Sequence, residues 1–195
     1  MRTKLILTII IILALTLFVA GCLNNDADKA NQLISTANKA INKYISLEND
    51  KIGPLREKID STENTKKGAK KCLGLIDEVL GHIRQQSGQL NEAKKNITEI
   101  SELSELSVNQ DFKTYAGMTG KALDADLKSL DISIKLYKKL QNLYDDISTN
   151  ELDENTYTEL GKEIDVLSDQ AESMTEKQAE LHSKKDAFYK SKIAK

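Results

Sequence analysis

Four apolar residues spaced seven apart, Ile76, Ile83, Leu90 and Ile97, constrain the fold of this chain more than any other feature. A repeat of seven keeps one stripe of a helix turned toward one neighbour over many turns, so it predicts long helices packed side by side along coiled-coil-like seams. Around it runs a wider stripe, from Cys72 and Leu73 through Val79, Leu80 and Ala93 to Ile100, with the three-and-four spacing of one helix face. Gln86 and Ser87 interrupt it, polar where a core residue is expected. Trp is absent, Pro occurs once and 30% of residues are charged, a composition that suits long solvated helices.

The same spacing continues on either side. Ala30, Leu33, Ile34, Ala37, Ile41, Tyr44, Ile45 and Ile52 predict a first helix, capped by Asp26 or Asp28. Gly53-Pro54 is expected to end it, because proline restricts the preceding residue and lacks a donor, while Pro54 suits the first position of a further helical piece. Residues 60–68 hold no large apolar side chain and read as a solvated turn or exposed helical segment. After a connection over 104–111, with Asp111 as a cap, a third long helix carries Tyr115, Leu123, Leu127, Leu130, Ile134, Tyr137 and Tyr144. A second row on it, Ile132, Leu136, Leu140, Leu143 and Ile147, gives an apolar arc wide enough to require burial on more than one side, hence a central position. Residues 148–155 form the next connection, and Thr156 with Glu159 has the spacing of a capping box. Tyr157, Leu160, Ile164, Leu167, Ala171, Met174, Leu181 and Phe188 then form a regular seam, broken at Gln178 and Lys185, which leaves its last turns less committed to a core. The expected fold is all-α: an elongated antiparallel bundle of three to four long helices, roughly 55–60 Å long at 1.5 Å per residue.

The amino terminus has a different pattern. Arg2 and Lys4 precede a charge-free run over residues 5–20, and small residues then lead into a cysteine, the order of an export signal. The run is shorter than the roughly 20 apolar residues a spanning helix needs. Val19-Ala20-Gly21-Cys22 resembles the lipobox of prokaryotic membrane lipoproteins, with Val19 where the family usually has Leu. The resemblance implies that a signal peptide, residues 1–21, is cut between Gly21 and Cys22. It also implies that Cys22 carries palmitate-type acyl chains as a lipid anchor in the cell membrane, on its extracytoplasmic face. Residues 22–28 would form a lipidated tether and 29–195 the bundle domain; the alternative is an uncleaved, slightly short membrane anchor.

Removing Arg2 and Lys4 from 28 basic residues leaves 26 against 30 acidic ones, a charge near −4 that does not favour nucleic acid. Cys72 is then the one remaining cysteine, so no internal disulfide is expected, and its place in the apolar stripe suits a small buried hydrophobe. There is no glycine-rich phosphate loop, nucleophile elbow or cysteine pair, and the reading is non-enzymatic, without cofactor or metal. His82 and His182 are read as solvated; Glu78 and His82 lie four apart, not in the Glu-x-x-His pattern of bundle di-metal sites. A metalloenzyme would need further carboxylates to converge on that pair.

Gly74, Gly81 and Gly88, seven apart, fall nearly opposite the seam, and each disfavours helix by about 1 kcal/mol relative to Ala. They suggest a face that another backbone or a flat ligand approaches, flanked by Glu78, His82, Gln85 and Gln89, or else a helix that tolerates them or bends near Ser87-Gly88. Asn96-Ile97-Thr98 matches the N-glycosylation pattern. The basic run over 184–195, with Phe188 and Tyr189, suits an anionic polymer, lipid head groups or a frayed helix end.

The layout of a lipidated cysteine followed by long charged helices, most clearly over 139–189, resembles the cell-wall-binding helical lipoproteins of bacteria. That resemblance implies a non-enzymatic protein binding or spacing cell-envelope components, with membrane lipid as partner through Cys22 and an envelope protein or cell-wall polymer as the other. A small-ligand-binding or sensory four-helix module acting with a membrane partner is the alternative.

Overall fold

In the computed structural model, residues 25–63, 65–103, 110–149 and 154–193 are described, and they form an all-α bundle. The helices are α1 (Asn25–Leu47), α2 (Gly53–Asp60), α3 (Lys66–Glu102), α4 (Gln110–Thr149) and α5 (Glu154–Phe188). A π-helical turn, Glu48–Ile52, joins α1 to α2, and another, Tyr189–Ile193, follows α5. α1 begins at Asn25, four residues before the expected domain start at 29. Helices of 37, 40 and 35 residues give α3, α4 and α5 lengths of about 50–60 Å.

Successive long helices run antiparallel. Gln86 meets Tyr44, Gln141 meets Asp77, Lys94 meets Asp124, and Lys139 meets Glu163, each pair joining opposite directions of chain. α3 packs on α1 and α4, and α4 packs on α3 and α5, so α4 lies between two long neighbours as its wide apolar arc requires. The close backbone approach of α5 is to α4. The heptad positions Ile76, Ile83, Leu90 and Ile97 are all buried, in one apolar core with Ala37, Ile41, Ile52, Ile59, Leu123 and Leu130. A smaller cluster of Ala30, Leu103 and Phe112 closes the end where α1 starts.

Gly53-Pro54 does not end the first helical path. Gly53 stays in the right-handed helical region, at φ −52° and ψ −55°, and Pro54 sits in the first turn of α2. The residue before proline is crowded out of that region by the ring's Cδ against its N–H and its Cβ, and Gly53 lacks the second of these. The π turn absorbs the rest: Gly53 N–H donates to the Glu48 carbonyl five residues back, and the widened turn makes room for the ring.

The break comes at residues 61–65. Thr65 adopts extended backbone, φ −123° and ψ 162°, and its Oγ1 accepts from Gly68 N–H at 3.0 Å, an N-cap of α3 absent from the sequence reading. Gly68 is required there, because a Cβ would stand 2.0 Å from the Glu63 carbonyl oxygen. At α5 the expected capping box is displaced: the helix begins at Glu154, so Thr156 lies in its first turn instead of at the cap. Asp111 likewise lies in the first turn of α4, where its charge still favours the helix dipole.

Candidate functional site

The lipobox residues Val19 to Cys22 lie outside the described residues. The glycine row lies on α3 as the spacing predicted, away from the seam, and a Cβ added at Gly74, Gly81 or Gly88 would meet nothing within 4 Å. Among the described residues no other backbone comes within 4 Å of a Cβ at these positions, and α3 runs unbroken through Ser87-Gly88. Glu78 and Gln85 are exposed and His82 is half-buried, so the predicted face is an outward strip. His82 Nδ1 and Gln89 Oε1 are covered atoms on α3 without a hydrogen-bond partner among the described residues. Asn96 is half-buried, and its Nδ2 donates to the Glu92 carbonyl at 2.7 Å. Cys72 is buried as expected, its Sγ 4.0 Å from the Ile59 carbonyl.

The polar chemistry of the bundle is concentrated inside it. Gln86, 0% exposed, does not interrupt the seam but donates through Nε2 to the Tyr44 carbonyl at 3.3 Å and to Glu48 Oε2 at 3.1 Å. Glu48, on the π turn, also accepts from Arg56 Nη1 at 2.6 Å, and Arg56 Nε donates to the Tyr137 hydroxyl at 3.0 Å. One guanidinium thus ties α2 to the π turn and to α4. Burial pulls Arg56 down, but Tyr137 and Glu48 outweigh it and hold the guanidinium above its ordinary value. Burial raises the Tyr137 phenol, with Arg56 opposing. Tyr44 is raised furthest, by burial first and then by the charges of Asp126 and Glu48.

A second cluster lies between α4 and α5. Asp126, 1% exposed, accepts from Gln178 Nε2 at 2.9 Å, and both its oxygens lie 3.2 Å from His182 Nε2. His182 is therefore not a solvated histidine; its side chain is 14% exposed and its Nδ1 is covered without a hydrogen-bond partner among the described residues. Sequence reasoning missed this group because its members lie more than fifty residues apart. The available signal was Asp126 itself, a carboxylate between Leu123 and Leu130 on the inward row of α4. Lys185 is buried too, its Nζ 3.2 Å from Asp186, and the Tyr115 and Tyr189 rings meet at a tilt of 48° with centroids 5.5 Å apart.

Family models, curated proteins and solved structures give no match to the chain. Its chemistry rests on its own geometry. Where α4 ends and α5 begins, Asn142, Asp145, Asp146, Glu159, Leu160 and Glu163 line an open cleft of about 310 Å³. Among the described residues no group of three or more His, Cys, Asp or Glu is placed to hold a metal ion, and His82 has no converging carboxylates. No described helix is long and apolar enough to cross a membrane. The arrangement offers two surfaces, the glycine strip and the acidic cleft, on a bundle whose polar interior is largely paired.

Proposed function

We propose that this chain is a lipid-anchored helical bundle on the extracytoplasmic face of the cell membrane, where it binds or spaces envelope components without catalysing a reaction. The observation that carries this reading is the order of the first residues: Arg2 and Lys4, a charge-free run over 5–20, then Val19-Ala20-Gly21-Cys22. Acyl chains on Cys22 would supply the attachment, since each buried CH₂ contributes about 0.8 kcal/mol and more than one chain is needed for lasting anchorage. The bundle geometry fits a spacer. α1 starts at Asn25, with Leu23 and Asn24 alone between it and Cys22, and helices of about 60 Å would reach well beyond the lipid head groups.

The test is Cys22→Ala in the full chain, expressed with a labelled fatty acid. The natural chain is expected in the membrane fraction with label, and the variant without label and released from the membrane. An unlabelled natural chain that stays in the membrane with residues 1–21 attached would replace the lipid anchor by an uncleaved one. For the working surface, a photo-crosslinking residue at Gln85 is expected to capture a defined envelope protein or polymer, and Gly81→Leu to abolish that capture. Capture of lipid alone would remove the glycine strip as a binding face.

A further inference from the structure

The seam between α4 and α5 is built differently from the others. α3 presents buried Ile76, Val79, Ile83, Leu90 and Ile97 to its neighbours, whereas Leu160 is the one apolar side chain of α5 that is buried. The other buried positions of α5 are Gln178 and Lys185; Ile164, Leu167, Ala171, Met174, Leu181 and Phe188 are half-buried, and Tyr157, expected on the seam, is 53% exposed. The close backbone approach of α5 is to α4.

The partners of Asp126 follow the same division. Among the described residues, the hydrogen bonds to its carboxylate come from α5, from Gln178 and His182, and none from α1, α3 or α4. We propose that α5 is a releasable arm, opening from the α1–α3–α4 core as a separate cooperative unit, and that Asp126 with Gln178 and His182 is its latch.

The physical basis is the difference between exposing apolar and polar surface. Opening an apolar seam costs about 25 cal/mol for every Å² brought into water. Opening this one exposes Leu160 and apolar side chains that are already half in water, and it returns a carboxylate, an amide and an imidazole to water, which replaces their hydrogen bonds, so the net loss is smaller than for a fully apolar seam. The ion pair Lys139–Glu163 adds little, because both side chains are more than a third exposed. A closed latch also fixes register: Asp126 is met when Gln178 and His182, one turn apart on α5, both face it. The arm is therefore specifically seated and weakly held. Units of this kind open below the free energy of global unfolding.

Native-state hydrogen exchange on the full chain tests this. Amides of α5 are expected to exchange through an opening with weak denaturant dependence, while α3 exchanges through global unfolding alone. Asp126→Asn is expected to speed exchange in α5 by about tenfold or more, with α3 unchanged. Replacing the latch wholly by apolar residues, with Asp126→Leu, Gln178→Leu and His182→Leu together, is expected to slow α5 toward the rate of α3. A common exchange rate and denaturant dependence for α5 and α3 in the natural chain would overturn the proposal, and that measurement needs no variant to fold. Equal acceleration of both helices by Asp126→Asn would remove Asp126 as the latch.

Discussion

Gln86 donates to the backbone carbonyl of Tyr44 from a position on α3 that is 0% exposed. A side-chain amide here replaces the apolar residue that the heptad pattern calls for, and it ties α3 to the end of α1 just before the π turn. Its Oε1 has no partner among the described residues, so the amide is half-used. Gln86→Leu removes that unpaired acceptor but strips a donor from the Tyr44 carbonyl and from Glu48, and it is expected to destabilise by about 1–2 kcal/mol. Gln86→Ala adds a cavity and is expected to cost about 3 kcal/mol or more. Urea denaturation of the two variants separates the terms.

The seam itself should be the most sensitive part of the chain. Ile83 is fully buried between α1 and α4, and Ile83→Ala is expected to cost about 2–5 kcal/mol. Val166, 54% exposed on α5, is the control: Val166→Ala should stay within about 0.5 kcal/mol. Equal effects at the two positions would contradict the core described above.

Glycines on α3 should respond in opposite directions. At Gly81 and Gly88 an added methyl meets open space, so Gly81→Ala or Gly88→Ala is expected to raise stability by up to about 1 kcal/mol through helix propensity. At Gly68 the same methyl would collide with the Glu63 carbonyl, and Gly68→Ala is expected to lower the thermal midpoint. A glycine strip kept despite available stability would then be retained for what it contacts.

Buried phenols give the bundle an alkaline limit. Burial, with Asp186 adding to it, pushes Tyr115 from 10.0 up to about 12, and burial with Cys72 nearby pushes Tyr144 to about 12. Below pH 10 both folded and unfolded chains hold these protons, and the contribution is fully present. As pH rises from about 10 to about 12 only the unfolded chain releases them, so stability falls through that window. Tyr115→Phe is expected to flatten the fall, measured as urea midpoints across the same range.

Much of this architecture was legible because it depends on spacing. Ile76 to Ile97 named the seam, the two apolar rows of α4 gave its central place, and Cys72 next to Leu73 gave its burial. What was not legible depends on partners supplied from elsewhere. Gln86 and Gln178 looked like breaks because a linear pattern cannot show that Glu48 or Asp126 will meet them across a seam. Gly53-Pro54 looked like an end because the sequence shows neither that a π turn would widen the backbone there nor that the missing Cβ of Gly53 would relieve part of the clash. Of the candidate surface, the spacing gave the direction in which Gly74, Gly81 and Gly88 face, and an open strip on one chain carries no imprint of what lies against it.

The antiparallel path has a practical consequence for reporters. Ala30, Leu103 and Phe112 cluster at one end, and Tyr115 meets Tyr189 near it, so the beginning of α1 and the last turns of the chain share that end. The opposite tip is made of the turn after Asp60 and the junction of α4 with α5. A fluorophore attached at Lys192, exposed on the π turn after α5, would sample that end, while one inserted at Ser61-Thr62 would ride on the tip. Paired, the two labels would make the bundle a molecular ruler, reading how far its tip stands from whatever holds its base.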